Sequence, residues 1–234
     1  MPGPGLLFVT SKIASPDLSL EAYHKWYNEI HVADFFKVDL TPLCLRYKNV
    51  DPEARWPFLA LYKVDDVDKL ASQAFKDLPM YSDVLPGDGY VWGCMDAGLR
   101  SYELIQRFKG QSSDKESGRA QRVVTVAMEP AEGGDEEFDE WYNKQHLDML
   151  SMCRGYQQTT RYKLVTGLLE AEEKEPTPPR YMAIHEYGTT ELPADQIKQV
   201  VSTEWSKKII GEAKTFDRNV WELIEEFGSN DLRL

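Results

Sequence analysis

Trp-Tyr-Asn-x-x-His occurs twice in this chain, at Trp26-Tyr27-Asn28 with His31 and at Trp141-Tyr142-Asn143 with His146, 115 positions apart. At the same offset Arg46-Tyr47-Lys48 recurs as Arg161-Tyr162-Lys163. A constant offset of about half the 234-residue length is the mark of an internal duplication. It constrains the fold strongly, because whatever the first half forms the second must form as well.

The order of elements is the same in both halves. Leu6–Ile13 is a short apolar, β-branched run that reads as a strand, and Ser19 caps a helix from Leu20 to Val38. At 100° per residue Tyr23, Tyr27, His31 and Asp34 share one arc of that helix. Strands follow at Leu43–Val50 and Phe58–Val64, then an amphipathic helix at Asp65–Leu78, irregular chain over Pro79–Gly98, and a strand at Leu99–Phe108. The second series is a strand at Arg122–Met128, a helix at Glu136–Met152, strands at Tyr156–Val165 and Tyr181–Tyr187, a helix at Leu192–Gly211 and a strand at Phe216–Phe227. The polar, Gly/Ser-rich stretch Gly110–Arg119 reads as a linker, and Gly167–Arg180 as a long acidic hairpin loop. Each half is thus β-α-β-β-α-β, the ferredoxin-like split motif. The expected class is α+β, with two tandem ferredoxin-like units (1–110 and 120–234, joined by 111–119) packed sheet to sheet, since each sheet has one apolar face to cover.

Charge and cysteine use narrow the function. The net charge is -12 and the pI about 4.9, so a nucleic-acid partner, whose phosphates would be repelled, is not expected. Cys44, Cys94 and Cys153 have neither disulfide nor zinc spacing and suit a reducing compartment. The N-terminus lacks a signal-peptide pattern and no apolar run approaches the ~20 residues of a membrane span, so the expectation is a cytoplasmic protein without a membrane partner.

The helix pattern Phe/Tyr-x-x-Trp-Tyr-x-x-x-His, placed after a first strand in tandem ferredoxin-like units, resembles the EthD-like branch of the dimeric α+β barrel superfamily. The resemblance covers about Leu6–Phe108 and Arg122–Phe227, as a fusion that replaces the homodimer. It departs from the family in lacking a Pro after the histidine, where Ala33-Asp34 and Asp148-Met149 stand. The superfamily includes cofactor-free monooxygenases, polyketide cyclases, isomerases and haem enzymes. Fused EthD-like proteins imply secondary metabolism, with cyclisation or decarboxylation of a polyketide acid as the assignment and a small aromatic or acidic molecule as the substrate.

The resemblance implies that His31 and His146 point into pockets between helices and sheet. An imidazole beside a phenol can act as a general base, with Tyr or Asn holding a developing oxyanion. The catalytic candidates are therefore His146, His31 and His185, the last sharing a strand face with Tyr181, Ala183 and Tyr187. Tyr142, Asn143, Tyr27, Asn28 and Tyr62 (the counterpart of His185) are candidates for lining the pocket. Arg161 and Arg46 can either pair a substrate carboxylate bidentately or form internal ion pairs. Asp34 and Asp148 lie where a carboxylate could orient the histidines, and His24 reads as a surface residue. No metal-ligand cluster, phosphate loop or nucleophile elbow occurs, so no cofactor and no metal are expected. The readings left open are a His-mediated cyclase or decarboxylase, a cofactor-free monooxygenase of a phenol, and a non-catalytic barrel holding a hydrophobic ligand among Met149, Met152 and Met182. A homodimer of the fused chain remains compatible with all three. With two histidines, the second half is the chemically richer one.

Overall fold

A computed structural model describes residues 3–110, 118–165 and 178–234. The linker at 111–117 and the loop at 167–177 lie outside the described residues. Two compact units are present: Met1–Glu103 with Ile224–Leu234, and Leu104–Leu164 with Thr177–Leu223.

The first unit starts with β1 (Gly5–Ile13), α1 (Leu20–Lys25), a π-helical turn (Trp26–His31) and α2 (Val32–Lys37). Next come β2 (Leu43–Asn49), β3 (Phe58–Val64), a 3₁₀ turn (Val67–Ala71), α3 (Gln73–Lys76), α4 (Val91–Cys94) and β4 (Met95–Lys109). β1 runs antiparallel between β3, with Leu7 opposite Tyr62, and β4, with Leu7 opposite Ser101; β2 pairs with the far edge of β3. The second unit contains β5 (Arg122–Glu129), α5 (Asp135–Trp141), a π-helical turn (Tyr142–His146) and α6 (Leu147–Ser151). It ends with β6 (Tyr156–Val165), β7 (Tyr181–Tyr187), α7 (Ala194–Val201), α8 (Glu204–Glu212) and β8 (Thr215–Gly228); the end of β4 from Leu104 belongs to this unit, and the end of β8 from Ile224 to the first. β5 lies between β7 and β8, and β6 pairs with β7. The strand order is that of a closed barrel, β1-β3-β2-β8-β5-β7-β6-β4. The α+β class with tandem ferredoxin-like units is the observed one.

Period-two alternation sends Leu7, Val9, Cys44, Ala60 and Tyr62 to the helix side of the first sheet, where they pack on Tyr23, Trp26, Tyr27, Val32 and Phe35. In the second unit Val124, Val126, Met128, Ala183 and Tyr187 meet Phe138, Trp141, Tyr142, Leu147 and Leu150.

Two elements differ from the sequence expectation. The first helix of each unit is not uniformly α-helical: Val32 N–H bonds the Tyr27 carbonyl and Leu147 N–H the Tyr142 carbonyl, each five residues back. The second helix expected at Asp65–Leu78 is broken. Asp66 accepts the Asp68 amide and Ser72 the Phe75 amide, so local side-chain bonds cap two short turns in place of one helix. Its counterpart, expected at Leu192–Gly211, splits at Thr203 into α7 and α8, and both parts cover their sheet with Val200 and Ile209.

Candidate functional site

That inequality between second helices determines where space is left. In the second unit Ile197, Val201 and Ile210 press toward the sheet, and the space beside His146 and His185 shrinks to about 50 Å³. In the first unit the short turn and α3, followed by the Pro79–Tyr90 chain, leave a cavity of about 410 Å³. Its floor is Leu7, Val9 and Ser11 of β1 with Met95, Ala97 and Leu99 of β4. Trp26, Tyr27, His31 and Phe35 form one wall, Phe75, Leu78 and Met80 another, and the exposed residues Ala71, Lys76 and Trp92 stand at its mouth. The covering chain is pinned by a Tyr81–Tyr90 bridge and by the Ser82 amide, which donates to the Gly89 carbonyl at 2.9 Å. Gly89 has φ +80°, and a Cβ there would lie 2.5 Å from the Ser82 carbonyl oxygen.

His31 stands in the cavity wall beside Tyr27. Its ring stacks on Trp26 (centroids 4.5 Å, 19°) and meets Tyr27 at 5.3 Å and Phe35 at 5.2 Å edge to face. The π turn makes the stack feasible, since residues five apart sit about 140° apart on a regular α-helix. Burial pushes the His31 pKa down to about 4, against an upward pull from Asp34, and Arg46 lowers it further. At neutral pH the ring is an uncharged imidazole facing an apolar cavity. Asp34 also holds Lys37 at 2.7 Å.

His146 repeats the arrangement in a closed setting. It stacks on Trp141 (4.1 Å, 28°), is 5% exposed, and its Nδ1 is sealed without a hydrogen-bond partner among the described residues. Burial drives its pKa well down, helped by His185 and Arg161. His185 lies 6.1 Å from His146, with Nδ1 2.8 Å from Thr159 Oγ1, and burial then Arg218 lower its pKa to about 3. Thr159 in turn accepts from the Tyr156 hydroxyl at 2.8 Å.

The remaining sequence candidates separate into wall and scaffold. Tyr27 lines the large cavity and Tyr142 the small one. Tyr62 is wholly buried, stacked on Phe35 at 4.3 Å, and lies behind the wall. Arg46, 1% exposed, lies 4.0 Å over the Tyr27 ring, donates to Asn28 Oδ1 and approaches His24 Nδ1 at 3.4 Å. His24 is therefore half-buried against Arg46 and Phe58 rather than a plain surface residue. Arg161 repeats the clamp. It lies 4.0 Å over Tyr142 and donates to Asp139 Oδ1 at 2.9 Å and Gln106 Oε1 at 2.6 Å, and Gln106 donates to Asn143 Oδ1 at 2.6 Å. Asn28, Asn143, Arg46 and Arg161 thus bind one another's networks and line neither cavity. Asp148 is exposed at its helix surface. Met152 is 73% exposed, and neither it nor Met149 nor Met182 lines a cavity. What the sequence reading missed are Ser11, Lys76, Met80, Trp92 and Met95; the irregular stretch Pro79–Gly98 was a signal for Met80, Trp92 and Met95, and nothing in the sequence singled out Ser11 or Lys76.

Among the described residues no group of three or more His, Cys, Asp or Glu is gathered as a metal site, and no helix is long and apolar enough to cross a membrane. No protein-family model matches the chain. The chain is 26% identical over 237 residues to Core atranone cluster (CAC) protein 1 of Stachybotrys chlorohalonatus, covering 97% of this chain and 92% of that protein. Its fold is similar to that of a Fusobacterium nucleatum protein provisionally described as a monooxygenase (TM-score 0.58, 11% identity, 99% of this chain and 97% of that one). It is also similar to an anthrone oxidase-like protein (TM-score 0.54, 14% identity, 97% and 93%). These structures share the dimeric α+β barrel fold with this chain, and at such identities the likeness is one of fold.

Proposed function

We propose that this chain is a cofactor-independent, EthD-like enzyme of secondary metabolism that acts on an aromatic or polyketide-like molecule by proton transfer in the first unit. The observation that carries the reading is the difference in room. The same Trp–His stack faces about 410 Å³ in one unit and about 50 Å³ in the other, and only the larger can take in a polycyclic substrate. The name of the Stachybotrys relative supports the metabolic setting.

In this reading His31 takes a proton from an acidic C–H or O–H of the bound ring system, leaving a delocalised enolate or phenolate. The stacked Trp26 face and Asp34 offset part of the burial cost of the imidazolium so formed. Its low pKa makes it a ready donor for returning the proton to another atom, as a cyclisation or decarboxylation requires. The preference for the second half gives way here, because His146 and His185 lack space for a substrate. A second reading, oxygenation of the same anion by dioxygen, is favoured by the monooxygenase and anthrone oxidase-like descriptions of the fold relatives.

The test is turnover of aromatic polyketide acids and anthrones by wild type, His31→Gln and His146→Gln. His31→Gln should lose about 10²–10⁴-fold in kcat while His146→Gln stays within severalfold. Because the base must be unprotonated, kcat/KM should rise through pH 4 and level off by about pH 6. Equal losses in both variants would remove the assignment to the first unit. Ligand binding without turnover in any of them would favour the non-catalytic reading.

A further inference from the structure

The acid-recognition role that the sequence suggested for Arg46 is unavailable, since that guanidinium is buried beneath Tyr27 and held by Asn28. The cavity nevertheless has a cation. Lys76, the last residue of α3, is exposed at the mouth beside Ala71 and Trp92 and meets no carboxylate among the described residues. The adjacent Asp77 is turned away, its Oδ1 accepting from Gln73 Nε2 at 2.7 Å. Apart from Ser11 and the neutral His31, the lining behind the mouth is aromatic and aliphatic, and a charge buried there without a partner would be costly. A ligand that satisfies both conditions has fused rings for the interior and one anionic group that stays at the rim. At neutral pH a carboxyl group is ionised and an ordinary phenol is not.

We propose that Lys76 is the specificity-determining residue of this cavity and that its ligand is an aromatic carboxylate, seated rings inward with the carboxylate on the Lys76 ammonium. The inference rests on the first-unit cavity being the ligand site.

Anthracene-2-carboxylate and its neutral isostere anthracene-2-carboxamide, titrated at low salt by quenching of tryptophan fluorescence, test it. Wild type should prefer the carboxylate by about three- to tenfold, a solvent-exposed ion pair being modest. The preference should vanish in Lys76→Met, invert in Lys76→Glu, survive in Lys76→Arg, and fade in wild type as salt is raised. Amide affinity should stay the same throughout the series. An unchanged preference in Lys76→Met overturns the proposal. Rim-plugging Ala71→Trp should block both probes. If it blocks neither, or wild type binds neither, the cavity is not the ligand site and the proposal falls with it. Failure of His31→Gln to affect turnover, with the charge preference intact, would instead remove only the catalytic role of His31.

Discussion

His31, His146 and His185 each make the fold sensitive to acid. Each is neutral when folded because burial disfavours the imidazolium, with pKa near 4 for His31 and near 3 for His185, below the ordinary 6.5. Between those values the unfolded chain binds protons that the folded chain refuses, so stability rises with pH across the window and is lost on acidification from about 6.5 downward. For His31 the full loss is of order 3 kcal/mol, reached below pH 4. Set against typical stabilities of ~5–15 kcal/mol, three such groups are enough to make the fold acid-labile. Urea unfolding midpoints should therefore be flat above pH 7 and fall steadily from pH 6.5 to 4. His146→Leu should shallow that slope, and a midpoint independent of pH over this interval would contradict the buried neutral state.

At the scale of elements, the π turn and the cation clamp explain why the repeat is so faithful. The widened turn aligns Trp and His five residues apart, and the Tyr between them carries an Arg on its ring while Asn or its neighbours bind the guanidinium. Trp, Tyr, Asn, His and Arg recur together because they are one helix–strand joint. Asn28→Ala should cost about 2 kcal/mol or more, since it removes the amide oxygen that accepts from the buried Arg46 guanidinium and leaves it His24 Nδ1 and the Tyr23 and Tyr27 rings. Arg46→Met removes charge and partner need together while keeping packing on Tyr27, so it should cost less than Asn28→Ala. Both variants, measured by thermal melting and by titration with the anthracene probes, should keep wild-type ligand affinity. A tenfold loss of carboxylate binding in Arg46→Met would return Arg46 to the site. The repeat was plain in the sequence, but its meaning was not. A uniform 100° per residue cannot show a π turn, and a buried Arg is told from a ligand-binding one only by what else its strand faces.

At the scale of the whole molecule, duplication has produced two units with one backbone order and different interiors. Element order, the split motif and both histidine-bearing helices could be read from the periodicity and the repeat. The first unit's cavity could not, because it arises where the expected helix is broken: Asp66 and Ser72 cap short turns where the other unit has α7 and α8. Chemical richness favoured His146 and His185, whereas room favours His31, and room depends on packing that no single residue announces. An unfilled apolar cavity is a stability cost, its lining lacking contacts that a packed core would make. If the first unit tolerates that cost for the sake of a ligand, filling the space should reverse it. Ala97 lies on β4 opposite Ser11 and lines the cavity floor. Ala97→Leu should leave the melting temperature unchanged or raise stability by about 0.5–2 kcal/mol, while excluding both anthracene probes and abolishing turnover. The matching truncation in the second unit, Ile197→Ala, enlarges a nearly closed space. Ile197 being partly buried, it should destabilise by about 0.5–3 kcal/mol without changing ligand affinity. A destabilised Ala97→Leu, or one that still binds the probes, would mean that the cavity is filled by the protein itself in solution. Equal loss of binding in Ile197→Ala would mean that the second unit holds the ligand.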